Sequence, residues 1–270
     1  MLYLLKLASR ILYSLDSFMP RRITNSVWEV FVSIMRKRTR NGFVKSVYGS
    51  WFIADWKDAT FMMAITGRWG FKLFDLLQDK KRDPYTFIDV GANFGTYSLI
   101  AASVPHCQQV HAIEANPVVY DCLKKNIEKN GTQINSYMVG VGSSEEKMRL
   151  SYKSQHLGIG TLMGKFNEGI EVLIRNHDLF DEILDNSSEK RFFIKIDVEG
   201  WEPKVVHQLL QSRITAFICC VFIEVTPHWI GNDGVKYIFE ALQGLGLKEV
   251  WRSKSSPQYD VLFERTYPIR

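Results

Sequence analysis

The chain has 270 residues, 46% hydrophobic and 23% charged, with 34 Lys/Arg against 29 Asp/Glu. That length suits one α/β domain with a modest extension, and the balance is that of an ordinary globular protein, which excludes disordered and collagen-like classes. Residues 1–50 hold nine Lys/Arg against Asp16 and Glu29, a net charge of +7, while the remainder holds 25 basic and 27 acidic residues.

The positive charge therefore sits in an N-terminal arm, and the rest of the chain is near neutral. A basic arm suits anionic lipid or nucleic acid, or it forms a solvated face. The four cysteines, Cys107, Cys122, Cys219 and Cys220, contain no Cys-x-x-Cys pair, so neither a zinc site nor a thioredoxin-like site is expected. Cys219 and Cys220 lie in an apolar run and read as core residues.

Residues 1–19 have a helical period, with Met1, Leu4, Leu5, Ala8, Ile11, Leu12, Leu15 and Met19 on one face, and Pro20 ends it. That face is expected to pack on its own domain; a partner subunit in a homodimer or a membrane surface are the alternatives. Lys6 and Arg10 break any transmembrane span, and no small-residue cleavage site follows. The expected location is cytoplasmic, with peripheral contact at the inner face of a membrane through residues 1–22 as the alternative. A second helix is predicted over 25–37, with Val27, Val30, Phe31 and Ile34 inward.

Residues 43–56 read as a hairpin around Gly49, and residues 58–79 as helical with a break at Gly67–Gly70. The connector Lys80-Lys-Arg-Asp-Pro84 marks a boundary. Three segments are expected: a basic helical extension (1–45), a hairpin and helix lid (46–84), and the main domain (85–270).

From Tyr85 strands and helices alternate. Strands are predicted at 86–90, 109–114, 135–141, 192–197, 216–225, 246–252 and 259–264, and helices at 96–103, 117–130, 201–212 and 233–243. Residues 148–153 and 171–175 are candidate extra strands. This alternation predicts an α/β fold with a seven-stranded, mostly parallel sheet and helices on both faces. The last two strands, joined through 253–257, are expected to form a hairpin with one antiparallel strand.

Three constellations carry chemistry. In the first, the apolar strand of Thr86-Phe-Ile-Asp89-Val-Gly91-Ala-Asn93-Phe-Gly95-Thr96 ends in an acid, turns through two glycines and enters a helix. Gly91 permits the tight turn, and Gly95 permits close approach of a ligand or strand at the helix start. Asn93 stands where the dinucleotide fingerprint requires glycine. The next strand ends in Glu114, 23 residues after Gly91, where a carboxylate can accept hydrogen bonds from ribose hydroxyls. Asn116-Pro117 then opens a helix. Together these residues point to nucleoside binding rather than a plain turn and cap.

In the second, Phe193-Ile-Lys195-Ile-Asp197-Val-Glu199-Gly200 places Asp197 and Glu199 at the carboxyl end of a buried strand. Two carboxylates there suit a sulfonium cation or a general base, while Glu199 could instead cap the following helix. In the third, Val221-Phe-Ile-Glu224-Val-Thr-Pro-His228 ends an apolar strand in an acid that is costly unless paired or facing a cleft. His228 follows as a candidate base or a surface histidine. His156 is a weaker candidate, on a Gly-containing loop that could close over a substrate.

Asp89-Val-Gly-Ala-Asn-Phe-Gly95, Glu114-Ala-Asn116-Pro117 and Lys195-Ile-Asp197-Val-Glu199-Gly200 resemble the FkbM family of methyltransferases, over about Tyr85 to Thr226. The family's Thr-Leu-Asp before the fourth core strand is here Asn176-His177-Asp178, which keeps only the acid. The resemblance implies a Rossmann-like class I methyltransferase fold, S-adenosylmethionine as donor, and a sugar or natural-product hydroxyl as acceptor. By that likeness Asp89, Gly91, Asn93 and Gly95 hold the donor's amino-acid end and Glu114 its ribose, Val139, Gly140 and Val141 lie near its adenine, and Asp197 and Glu199 lie near the methyl group. Thr96 and Asn116 are further candidates for binding the donor.

The expected activity is O-methylation of a carbohydrate, glycolipid or related metabolite. Asp197, Glu199, Glu224 and His228 are the candidate bases. No metal is assigned, although Asp197 and Glu224 could offer oxygens to magnesium. A nucleic-acid partner is not expected, because the Asn/Asp-Pro-Pro-aromatic motif of base amino-methylases is absent. The rival reading is a non-catalytic binding or scaffold protein. A nicotinamide dehydrogenase is disfavoured by Asn93 and by the lack of a Tyr-x-x-x-Lys pair.

Overall fold

A computed structural model describes residues 2–15, 20–143, 146–153, 156–254 and 258–265. Met1, Met19 and residues 255–257 of the last predicted loop lie outside the described residues. The chain begins with α1 (Leu2–Leu15) and α2 (Arg21–Arg36), followed by the hairpin β1 (Phe43–Lys45) and β2 (Trp51–Ile53). Helices α3 (Ala59–Thr66) and α4 (Lys72–Leu77) flank the expected break, which begins at Gly67 with φ 81°.

The alternating part runs β3 (Tyr85–Val90), α5 (Thr96–Ala101), β4 (Cys107–Ile113), α6 (Pro117–Asn130) and β5 (Asn135–Tyr137). After β6 (Gly140–Val141), β7 (Lys147–Lys153), β8 (His156–Thr161) and β9 (Glu168–Arg175) come α7 (Asp178–Asn186), β10 (Phe192–Ile196) and α8 (Glu202–Gln211). The chain closes with β11 (Ile218–Val225), α9 (Pro227–Gly244), β12 (Leu247–Arg252) and β13 (Tyr259–Arg265).

The central sheet has seven strands in the order β12-β13-β11-β10-β3-β4-β5. Only β13 opposes its neighbours, so the sheet is the mostly parallel one expected, with β12 and β13 as the terminal hairpin. All residues of β3 and β10 are buried, as a strand covered by helices on both faces requires. The chain order reverses between β3 and β10, so a crevice opens beyond their carboxyl ends.

Alternation divides the core. Ile88, Val90, Ile194, Ile196, Val221 and Ile223 face α7, α8 and α9. Phe87, Phe193 and Phe222 face the other way, in one cluster with Phe61, Phe74, Trp28 and Met35. The N-terminal elements thus cover one face of the sheet.

Four local expectations are corrected. The predicted strand 135–141 divides: β5 stays in the central sheet, while β6 joins a second sheet in the order β6-β9-β7-β8. At Gly140 a side chain would lie 2.7 Å from Ile174, so glycine lets β9 pack close. The segment expected as a Gly-containing loop around His156 is strand β8 of that sheet. Helix α7 was not anticipated, although Leu179, Phe180, Ile183 and Leu184 recur at helical spacing and are buried.

The fourth correction concerns which faces of α1 and α2 turn inward. In α2 the buried apolar residues are Trp28, Phe31 and Met35, while Val27, Val30 and Ile34 are 39%, 60% and 45% exposed. Trp28 and Phe31, packed edge to face at 5.9 Å, remove more apolar surface from water than the branched aliphatics could. In α1, Leu5, Ala8 and Leu12 pack inward, but Leu4, Ile11 and Leu15 do not. Ser9 is buried instead, and its hydroxyl donates to the Thr66 carbonyl.

This assignment of faces has a measurable consequence. Trp28→Ala should cost about 3–5 kcal/mol, the range for emptying a buried Trp site. Val30→Ala should change stability by no more than about 0.5 kcal/mol. Urea titration of the two variants checks this; equal losses would mean that α2 is turned the other way.

Candidate active site

The site is built around Lys195, an almost fully buried lysine near the end of β10. Its ammonium donates to the Gly91 carbonyl at 2.6 Å and lies 3.2 Å from Asp89 Oδ1 and 3.4 Å from Asp197 Oδ2. Burial alone would discharge this amine, but the Asp197 and Asp89 charges outweigh it and hold the proton more firmly than usual. Asp89 also accepts a 2.7 Å hydrogen bond from the Ser98 hydroxyl. Asp89 is wholly buried, so its carboxylate anchors the frame rather than reaching a ligand.

The two motif glycines have different causes. At Gly91 (φ 76°) a side chain would lie 1.9 Å from the Asp197 carbonyl oxygen, because β3 and β10 leave the sheet in contact. At Gly95 (φ 86°) the obstacle would be Leu123 of α6, at 2.5 Å. Gly95 therefore serves helix packing, and it does not line the cavity.

Glu114 stands just beyond β4. Its two oxygens accept from the backbone N–H of Asn93 at 2.9 Å and of Asn116 at 2.8 Å. Burial raises its pKa, and these two donors oppose the rise. Each carboxylate oxygen keeps a further lone pair. Asn93 has φ 54°, a left-handed conformation that asparagine tolerates better than most residues. Asn116 caps α6 by accepting from Val118 N–H at 3.0 Å.

These residues open onto a cavity of about 910 Å³ at the sheet's carboxyl edge. Gly91, Asn93, Thr96, Glu114, Asn116, Gly140 and Val141 all line it, as do Asp197, Glu199 and Glu224. Val90, Ile113, Val139 and Val141 form an apolar wall beside Glu114. His228 does not line the cavity; it is exposed at the start of α9 against Trp229.

The opposite wall is acidic. One oxygen each of Asp197, Glu199 and Glu224 lies within 4.8 Å of the others. Glu199 has φ 55°, a strained conformation for a non-glycine residue, and Thr161 Oγ1 donates to its carbonyl at 2.7 Å. Burial and the Asp197 charge push the Glu199 carboxyl up to about 8. The same two causes raise Glu224 well above the usual range and Asp260 to about 7. Gln258 Nε2 donates to Glu224 Oε1 at 3.1 Å, and Glu224 Oε2 is buried without a hydrogen-bond partner among the described residues. Glu202, rather than Glu199, caps the turn into α8, accepting from Val198 N–H at 3.0 Å and Gly200 N–H at 3.1 Å.

The methyltransferase FkbM domain matches residues 89–249, more than half of the chain. The chain belongs to the FkbM methyltransferase family. No curated protein matches it. Among solved structures it is similar to a METTL16 methyltransferase domain at 13% identity and TM-score 0.46, over 88% of this chain and 92% of that one. It is also similar to a human methyltransferase 10 domain containing protein, at 16% identity and TM-score 0.43, over 73% of this chain and 79% of that one. The ribosomal protein L11 methylase of Lactobacillus delbrueckii subsp. bulgaricus is similar at 11% identity and TM-score 0.42, over 74% and 80%.

The FkbM domain's site holds three residues that sequence reasoning gave no role. Lys195 could have been singled out as a lysine in an apolar strand, which demands a charged partner. Glu202 was visible as an acid in the first turn of a helix. Asp260 reaches the cavity only because β13 runs antiparallel and begins at that edge.

The raised carboxyls set a pH dependence. A group held at about 8 when folded and near 4.5 when unfolded binds more proton in the folded state between those values. Stability is then greatest below the unfolded value and falls as pH rises towards 8. Glu199→Gln should flatten the upper part of this fall and raise the thermal midpoint at pH 8–9 relative to the parent protein. An unchanged profile would show that Glu199 is not held protonated by the fold.

Proposed function

We propose that this FkbM-family protein transfers a methyl group from S-adenosylmethionine to a hydroxyl of a carbohydrate, glycolipid or related metabolite. The observation that carries the reading is one cavity with a nucleoside-type half and an acidic half. Glu114, held by two backbone donors, faces it from one side, and Asp197, Glu199 and Glu224 face it from the other.

The residues fit the donor. Asn116 Nδ2 and Thr96 Oγ1 line the cavity and are buried with no partner among the described residues, which suits a ligand rich in oxygen and nitrogen acceptors. The apolar wall of Val90, Ile113, Val139 and Val141 suits a flat purine. An acidic cavity concentrates a cation. When bound, S-adenosylmethionine supplies a methyl group on a positively charged sulfur.

The chain's own task is then to align an acceptor oxygen and to take its proton. Glu199 and Glu224 are the bases of this reading: both are held towards the neutral form in the empty site, a cation bound beside them favours their charged form, and a carboxylate of raised pKa then accepts a proton more readily than an ordinary one. Asp197, tied to Lys195, lies beside them and supplies negative charge for the incoming cation. His228 is left out by its position. Trp69, Trp229, Trp251 and Tyr259 line the outer cavity, where aromatic faces suit the apolar faces of a sugar ring and exclude water.

Isotope-labelled methyl transfer into fractionated cell extracts tests the reading. Label should enter a glycan or glycolipid fraction, and Asp197→Asn should lower turnover by about a hundredfold or more. Label in protein or nucleic acid would overturn the acceptor class, and near-normal turnover by Asp197→Asn would remove that residue's role.

The donor half is checked separately by calorimetry with S-adenosylhomocysteine. Glu114→Ala should weaken binding by about tenfold or more, since it removes a charged acceptor and frees two backbone donors. Equal affinity would place the ligand elsewhere.

A further inference from the structure

Helix α1 turns Lys6 and Arg10 towards the protein together with Leu5, Ala8 and Leu12, and leaves a second apolar row facing solvent. Lys6 Nζ sits 3.7 Å over the Phe74 ring, and the Arg10 guanidinium pairs with Asp75 while lying 4.4 Å over Phe71. Outside, Leu4, Leu7, Ile11 and Leu15 are 64%, 44%, 52% and 37% exposed, at intervals of three, four and four residues. Helix α2, which packs against α1, repeats the pattern. Its Ile23, Val27, Val30 and Ile34 are 48%, 39%, 60% and 45% exposed, at intervals of four, three and four.

Single exposed aliphatics need no explanation, but two ordered stripes on neighbouring helices do. The surroundings say what covers them. Arg22 at the start of α2 and Arg36, Lys37 and Arg40 at its end are exposed, with Glu29 as the helix's acid. Residues 1–50 carry +7 in all. A second copy of this face would set that charge against itself, whereas an anionic lipid surface neutralises it. No helix among the described residues is long and apolar enough to cross a membrane, so the contact lies in the interface plane.

We propose that α1 and α2 dock this protein on a bilayer containing anionic lipid, with the two aliphatic stripes in the headgroup boundary and the α2 cations on phosphates. Tyr13 of α1 lines the cavity. Docking therefore brings the cavity to within about one helix diameter, ~10–12 Å, of the lipid surface. A membrane-borne hydroxyl could then enter without leaving the bilayer, a consequence that rests on the function proposed above. The docking itself does not rest on it.

Sedimentation of the full chain with vesicles tests the docking without any methyl acceptor. Phosphatidylcholine vesicles containing about a third phosphatidylglycerol should pellet the protein at low salt, and vesicles of phosphatidylcholine alone should pellet at least about tenfold less. Added salt should weaken the binding. The double variant Ile11→Glu, Val30→Glu changes only exposed side chains and should keep its thermal midpoint, yet lose about tenfold or more in partitioning. Equal pelleting of parent and variant, or none by the parent, would overturn the proposal. So would a stable dimer in light scattering that the double variant dissociates, since that assigns the face to a second copy.

Discussion

Lys195 is a cation inside a sheet, and the geometry of the cavity follows from how it is satisfied. Its three donors meet three oxygens, on Asp89 at the end of β3, on the Gly91 backbone and on Asp197 past the end of β10. These contacts tie the two strands together where the chain order reverses. Were the ammonium absent, Asp89 would be a fully buried carboxylate held by Ser98 alone. The glycine follows from the same contact, because only a residue without a side chain lets the Asp197 carbonyl come so close to position 91. Asp89 thus belongs to the frame that aims the site, whereas Gly91 and Asp197 also line the cavity.

From that frame the two halves of the cavity diverge. On the β4 side the backbone turns so that the N–H groups of Asn93 and Asn116 both donate to Glu114, which fixes the carboxylate through main-chain donors. On the β11 side Lys195 is the cation that opposes the rise at Glu199 and Asp260. Glu199, Glu224 and Asp260 share one negative region, and each is pushed towards its neutral form by burial and by its neighbours. The left-handed backbone at Glu199 is the strained element of this half. Its conformation is over-determined by Thr161 from β8 and by the Glu202 cap on the next residue's N–H. An acidic half of this kind is unfavourable in isolation and becomes favourable when a cation enters, which is the pattern of a site built for ligand rather than for stability.

Much of this was legible because the determinants are local. Helix α6 begins and ends where expected, at Pro117 and Asn130, since Asn116 caps it and Gly131 takes φ 61°. Glu114 and the Gly91 turn are adjacent in sequence to the strands that position them. The less legible parts depend on partners far along the chain. Asp260 reaches the cavity through strand direction, which no local pattern encodes. The short strand β6 leaves the central sheet because β9, over thirty residues later, pairs with it. Helix α7 is hard to read because its nine residues carry only two turns of pattern, in Leu179, Phe180, Ile183 and Leu184.

The inverted helices show a different limit. Periodicity identifies an apolar face but not which of two faces is covered, and both N-terminal helices carry more apolar surface than the sheet can take. In α2 the aromatic pair Trp28 and Phe31 wins the inward position because it fills the hollow over Phe61 and Phe74. In α1 the inward positions are shared by Leu5, Ala8 and Leu12, by Ser9, and by Lys6 and Arg10, which find aromatic rings and Asp75. A helix that spends its cations on its own domain and leaves leucines outside has solved a packing problem at the cost of solubility. Such a surface suits a partner that is itself apolar. The excess charge along α2 states what else that surface must carry, so the two helices read together as a single contact with one requirement on its partner: apolar inside, anionic at the edge.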